Sequence, residues 1–440
     1  MKRMKLLPFF LAILTAGNAT GQVQYGLKDC IGIGLEKNFS ILIARNSQTI
    51  SGNNYTLGNA GYLPLISIGS KYTQGISNTT VNNRDGSQSV TNGAVTGSGS
   101  ASANLTLNIF SGFNVSTTYK KLGELKQLGE LNTQMTIENY VSSVVSLYYM
   151  YVEELQTYKN LVYALALSRE RLRIDEERYL LGSNSKLQVL QSKVYVNSDS
   201  SNLAKQVQVL REAQIRLNEL MAVENIGTQF SVKDTAISVD HNLLYEKLLE
   251  ETLNANTSLR ITEKNRLVSE YDYKLAVSRA YPYLDLNGGY NLNYSSNSSA
   301  SYKNQVINGP SVGLTFGINV FDGLNLRRQI RNSALDVKSK ELKYSEMEQS
   351  VKADLLAIYS GYANNLKLIR MEEQNLATAD ENLAIAMERY KLGSLSGLDL
   401  REVQKSLLDA RERLLSVQYM AKLAEISLMQ ISGRIMSYFQ

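Results

Sequence analysis

Four residue types are nearly missing from this 440-residue chain: it has four prolines, one cysteine, one histidine and no tryptophan. Ordinary usage would supply about twenty prolines. None occurs between residues 65 and 281 or after 310, which suits long helices without breaks. The lone Cys30 excludes an intrachain disulfide and a cysteine metal cage. The lone His241 removes the commonest general base and metal ligand from nearly the whole chain. No run of eighteen apolar residues is present, so no transmembrane helix is expected.

The formal charge of +5 suggests a nucleic-acid partner until the N-terminus is read. Residues 1–21 carry Lys2, Arg3 and Lys5, an apolar run from Leu6 to Leu14, and small residues ending at Gly21. This is the pattern of a secretory signal peptide, and nine apolar residues are too few to span ~30 Å of hydrocarbon. Cys30 follows Lys28 and Asp29 rather than small residues, so lipidation there is not expected. Cleavage near Gln22 leaves 43 basic and 41 acidic residues. The exported chain is almost neutral, and the concentrated basic face of a nucleic-acid binder is absent.

What is present is written twice. Glu177-Arg178-Tyr179-Leu180-Leu181-Gly182-Ser183 returns 211 residues later as Glu388-Arg389-Tyr390-Lys391-Leu392-Gly393-Ser394. Asn108 to Gly112 returns as Asn319 to Gly323 at the same offset. Pro64 matches Pro282 at an offset of 218, so a loop between them is seven residues shorter in the second copy. Each unit reads helix, strand, loop, strand, very long helix, tight turn, helix.

The helices announce themselves by heptads. Val144, Tyr151, Tyr158, Leu165, Leu172 and Tyr179 recur every seventh residue, as do Leu355, Tyr362, Ile369, Leu376, Leu383 and Tyr390. After the turns, Val189 to Leu217 and Leu400 to Leu428 keep the same beat. Such stripes predict helices that supercoil against neighbours, over about 115–181 and 325–392. Each would be roughly 100 Å long, so the architecture is elongated. Gly182 and Gly393 stand where a left-handed residue ends a helix. Ser185 with Gln188, and Ser396 with Asp399, have the spacing of a capping box.

Four segments alternate with period two, for example Val312, Leu314, Phe316, Ile318 and Val320 against Ser311, Gly313, Thr315, Gly317 and Asn319. Each is about ten to twelve residues, the length of a tilted membrane strand. Pro64, Pro282 and Pro310 are expected at strand beginnings. The polar face of Asn, Ser, Thr and Gly suits either a watered lumen or a half-buried soluble sheet. The segment 73–100, rich in Ser, Asn, Thr and Gly, is expected to be an exposed loop. Four strands cannot close a membrane barrel, and an open edge in lipid costs several kcal/mol per unpaired group. Strands that span a membrane would therefore require several chains.

The tandem layout, with Arg-Tyr-x-x-Gly-Ser-x-Ser at both tips, resembles the TolC family of outer-membrane efflux proteins over essentially all of 22–440. The resemblance implies a mixed fold: long α-helical hairpins forming a periplasmic α-barrel, and four strands per chain in a shared trimeric transmembrane β-barrel. It implies a first repeat over 22–222, an equatorial linker over 223–242 and a second repeat over 243–440, residues near 433–440 joining the equatorial region. Implied partners are two further copies, a periplasmic adaptor protein, an inner-membrane transporter and outer-membrane lipid.

Candidate sites follow from the same resemblance. Asp399 and Glu402 match an acidic ring at the periplasmic entrance, although carboxylates in a first helical turn also serve capping. The first copy has Gln188 and Gln191 there. Arg178, Gly182, Ser185, Arg389, Tyr390, Gly393 and Ser396 match the tip motif that docks the adaptor; the arginines would equally suit helix C-termini. A salt-bridge lock of some relatives, on an arginine two residues past the tip glycine, has no counterpart: Leu395 stands there and Gln188 replaces the acidic partner. Tyr390 is retained. Tyr148, Tyr149, Tyr151 and Tyr158 read as packing, and Ser183 with Lys186 as a chance Ser-x-x-Lys match. No catalytic, metal, cofactor or nucleotide-binding constellation is found. The expected function is a passive exit duct of an efflux or type I secretion system; an exported trimeric coiled coil without a pore is the alternative.

Overall fold

A computed structural model describes residues 23–298 and 303–439; the expected signal peptide lies outside them. The chain runs β1 (Val23–Tyr25), α1 (Leu27–Lys37), α2 (Phe39–Asn54), α3 (Leu57–Ala60), β2 (Leu65–Asn82), β3 (Gln88–Ser111), α4 (Asn114–Leu180) and α5 (Lys186–Leu220). It continues with β4 (Phe230–Val232), α6 (Tyr245–Ala255), α7 (Thr257–Ser278), β5 (Tyr283–Asn297), β6 (Gln305–Gly317), α8 (Asn325–Lys391) and α9 (Gly397–Ile431), then a 3₁₀ turn over Ile435–Tyr438.

The heptad stripes become the two unbroken helices they predict, α4 and α8, each 67 residues and about 100 Å long. Val144, Tyr151 and Leu165 are buried in α4, and Leu355, Tyr362, Ile369, Leu383 and Tyr390 in α8. No helix is long and apolar enough to cross a membrane among the described residues.

The four long strands form one antiparallel sheet in the order β2-β3-β5-β6. Two expectations need correction. The stretch 73–100 is mostly strand: β2 and β3 run on together until Asn82 pairs with Gln88. Its Thr and Val residues favour pleated backbone, and β5 ends opposite Thr96, leaving the outer ribbon without a neighbour on that side. Pro310 lies inside β6, opposite Tyr290, rather than at its start. β6 is an edge strand of the chain's own sheet, where an imino nitrogen is tolerated. Ile318 and Val320 fall beyond β6, in the link to α8.

The links from sheet to long helix are the same in both repeats. Gly112 and Phe113, and their counterparts Gly323 and Leu324, all have φ between +63° and +71°. Two successive left-handed residues turn the chain sharply, at a steric cost for bulky Phe113 and Leu324.

At mid-length, β1 pairs in parallel with β4, which follows α5. Nearby, Lys422 is buried between the rings of Tyr149 and Tyr438, at 4.8 and 5.1 Å, and donates to Glu425 at 2.7 Å. Glu425 also accepts from the Tyr438 hydroxyl at 2.6 Å and from the Asp240 N–H at 2.9 Å. One buried ion pair thus ties the segment near 240 and the C-terminal turn to α9 and α4. Cys30 lies in the same core, its thiol pushed up to about 12 chiefly by burial, and so is inert.

Glu153 on α4 is half-buried beside Glu154, and burial first, then that neighbour, pushes its carboxyl up to about 7. An acid with a raised native pKa stabilises least when ionised. Stability is therefore expected to fall as pH rises from about 4.5 through about 7. Glu153→Gln should raise the thermal midpoint at pH 8 and leave it unchanged at pH 4. Equal midpoints at pH 8 would show that Glu153 is solvated.

Candidate functional site

The far end of the molecule is built from two helical hairpins, α4/α5 and α8/α9, whose tips lie together. Each long helix stops in the same way. Gly182 and Gly393 adopt φ of +74° and +78°. Ser183 N–H reaches the Arg178 carbonyl, and Ser394 N–H the Arg389 carbonyl, both at 2.9 Å. A left-handed glycine with this six-to-one bond satisfies carbonyls that the helix end would leave open. Any side chain at Gly182 would find open space but a strained backbone.

The next helices begin on serines. Ser185 accepts from Gln188 N–H at 3.3 Å while the Gln188 side chain accepts from Ser185 N–H at 3.1 Å, closing the capping box. Ser396 accepts from Asp399 N–H at 3.1 Å and donates its hydroxyl to Asp399 Oδ2 at 2.7 Å. Asp399 thus helps to cap α9 while remaining exposed, and Glu402, one turn on, is exposed too. The two carboxylates stand beside the tip, with no ion pair among the described residues.

The two tip arginines differ. Arg178 donates to the Tyr390 carbonyl and lies 5.0 Å from the Tyr390 ring centroid, so the first hairpin caps the end of α8 in the second. Arg389 is exposed. The tyrosines beside them differ more: Tyr179 is 45% exposed, whereas its counterpart Tyr390 is 2% exposed.

Tyr390 is buried because its hydroxyl enters a polar cluster that the heptads conceal. It donates to Asp175 Oδ1, which also accepts from the Asn184 amide at 3.0 Å. Asp175 Oδ2 accepts from the Ser192 hydroxyl at 2.5 Å and lies 3.8 Å from Arg171 Nε. Burial first, then the bond to Asp175, pushes the Tyr390 hydroxyl up to about 12. Two turns along, Arg401 of α9 grips Asp199 of α5 through two bonds of 2.9 and 3.0 Å, and Ser168 donates to the same carboxylate. Arg171 and Arg401 both lie against the Tyr195 ring, at 4.8 and 4.9 Å. Arg171 is 4% exposed, and its Nε and Nη1 have no hydrogen-bond partner among the described residues.

Residues from both hairpins meet here: Tyr390 and Arg401 from the second, Asp175 and Asp199 from the first. The duplication supplies the contrast. Asp175 and Asp199 correspond to Ala386 and Ala410, and Ser168 and Ser192 to Ala379 and Val403. The second hairpin has an apolar tip core of Leu383, Ala386, Leu400 and Leu407. The first has buried acids in its place. The motif reading missed them, and aligning the copies at their own offset is the signal that finds them.

A family model, outer membrane efflux protein, matches residues 31–223 and 248–434, the greater part of both repeats. The chain belongs to that family. It is 24% identical over 193 residues to the outer membrane protein TolC of Vibrio cholerae, a match spanning 43% of this chain and 44% of that protein's length. Its fold is similar to that of VceC from Vibrio cholerae, with a TM-score of 0.73 at 16% identity over 92% of this chain and 96% of that one. It is equally similar to the Campylobacter jejuni outer membrane channel CmeC, with a TM-score of 0.75 at 15% identity over 93% and 85% of the two chains. The efflux-family chain is accordingly an outer-membrane protein, its helical hairpins on the periplasmic side. Among its described residues no group of three or more His, Cys, Asp or Glu could hold a metal; His241 is exposed in the segment near 240.

Proposed function

We propose that the chain is the exit duct of a tripartite efflux or type I secretion assembly, passively conducting substrate from an adaptor and an inner-membrane transporter to the exterior. Energy comes from the transporter, and the duct carries out no chemistry. The observation that carries this reading is an open four-stranded sheet with apolar residues uncovered, standing on helices of about 100 Å. Its edges β2 and β6 must be closed by further copies.

The copies meet where the repeat lacks an internal partner. α7 packs between α4 and α8, whereas its counterpart α2 packs chiefly on α4. Leu131 on α4 is 5% exposed, and its counterpart Leu342 on α8 is 64% exposed. Phe39, Ile43 and Ile50 on α2 are likewise uncovered. A neighbour's α2 on α8 completes the ring, and three chains give twelve strands. In this reading the first repeat spans 22–222, the linker 223–242 and the second repeat 243–440, after a signal peptide of 1–21.

The tips are the gate. With Tyr390 on Asp175 and Arg401 on Asp199, each chain latches its own two hairpins together, without the arginine that Leu395 replaces. Arg389, free of the latch, with Gly182, Gly393 and the capping serines Ser185 and Ser396, forms the surface for the adaptor; Arg178 serves the latch first. Asp399 and Glu402 from three chains put six carboxylates around the entrance, attracting cations.

Single-channel recording in planar bilayers tests the duct, since a poreless coiled coil conducts nothing. Reversing Asp399 and Glu402 to Lys is expected to turn a cation-preferring channel toward anions, read as a change in the sign of the reversal potential under a salt gradient. An unchanged reversal potential would remove both residues from the entrance.

A further inference from the structure

The surface just below the sheet carries cations that nothing in the chain answers. Arg327, Arg328 and Arg331 stand in the first two turns of α8, all exposed. None has an ion-pair partner among the described residues. Asp322 is the only carboxylate between Asp285 and Asp336, and it is engaged by the Leu326 N–H at 2.8 Å. Three positive charges at the start of a helix oppose its dipole. The repeat does not need them: at the offset of 211, Ser116 and Thr117 stand in place of Arg327 and Arg328. Lys120 matches Arg331 and is also exposed.

Immediately before the arginines comes an uncovered apolar rim. Phe316, Val320, Phe321 and Leu324 are 69, 89, 78 and 56% exposed. Leu324's counterpart Phe113 stays 66% exposed although its own repeat is flanked by the second, so this position faces away from the protein in both copies. An apolar rim followed by unpaired cations is the order met on leaving hydrocarbon for phosphate headgroups.

We propose that Arg327, Arg328 and Arg331 form a phosphate-binding patch for anionic phospholipid of the periplasmic leaflet, holding the lower rim of the barrel at headgroup level. The assignment rests on the outer-membrane location and does not depend on the duct, the latch or the adaptor. Arginine suits it, because the planar guanidinium grips phosphate oxygens in pairs.

The test is native mass spectrometry of the full-length protein in detergent, titrated with phosphatidylglycerol, phosphatidylcholine or inorganic phosphate. Phosphatidylglycerol should bind preferentially, and the variant R327Q/R328Q/R331Q should lose about a hundredfold in that affinity, at roughly 1 kcal/mol per cation. The control K159Q/K205Q/K367Q removes the same charge from exposed sites along the tube and should bind as wild type. Each arginine is also changed singly, so a folding failure of the triple variant leaves the patch testable. Equal losses in patch and control variants would overturn the proposal. So would binding of inorganic phosphate as tight as that of lipid, or unchanged lipid binding with altered ion selectivity, which would turn the arginines toward the lumen.

Discussion

Channels carrying Asp175→Ala should conduct several-fold more current in planar bilayers than the wild type. The carboxylate accepts from Tyr390, Ser192 and Asn184 and faces the buried Arg171. Its loss leaves that guanidinium uncompensated, a penalty on the closed arrangement of about 3–5 kcal/mol. Splaying the hairpins returns Arg171 to water and relieves it. Tyr390→Phe is the milder variant: it removes one hydrogen bond to a charged group, worth about 1.5–3 kcal/mol, or tenfold or more in the closed-to-open ratio. The Tyr390 contribution to the latch should be insensitive to pH in the ordinary range. The Tyr390 hydroxyl, raised to about 12, keeps its proton, so its contribution is complete below about pH 10 and is lost as pH climbs through about 12. Wild-type conductance in both variants, with the oligomer intact, would sink the latch.

The second large effect concerns assembly. Leu342→Asp should convert the oligomer to monomers in detergent, measured as mass by light scattering. Burying a leucine yields about 1.5–3 kcal/mol, repeated at each interface of the ring, and an unpaired carboxylate in the same place costs more. Lys340→Glu, on the opposite side of the same helix and exposed, should leave the mass unchanged. An undiminished oligomer carrying Leu342→Asp would mean that α8 turns this face to solvent, and the pairing with a neighbour's α2 would be wrong.

Much of the architecture was legible because it rests on periodicity. A seven-residue beat over 67 residues admits few alternatives to a long packed helix, and Gly393 with Ser396 marks where it stops and restarts. Strand ends were less legible. Around Asn78 and Thr91 both faces of the ribbon meet water, so no alternation signals pairing, and mainly backbone hydrogen bonds carry β2 and β3 onward. Pro310 misled because a proline reads as a boundary, while at a sheet edge it need not be one.

The functional end divides along the same line. Composition, duplication and tip motif by themselves determined the family layout and the turns, because each is a local or repeating property of the chain. Which tyrosine of an identical pair would be buried was not local. Tyr179 and Tyr390 share a motif, yet only Tyr390 meets a carboxylate, supplied by Asp175 from 215 residues away. Leu131 and Leu342 likewise share a helical position, and only packing decided that one would be covered within the chain and the other left exposed. Two copies of one pattern cannot have identical surroundings in a single chain, and tertiary structure alone assigns the difference.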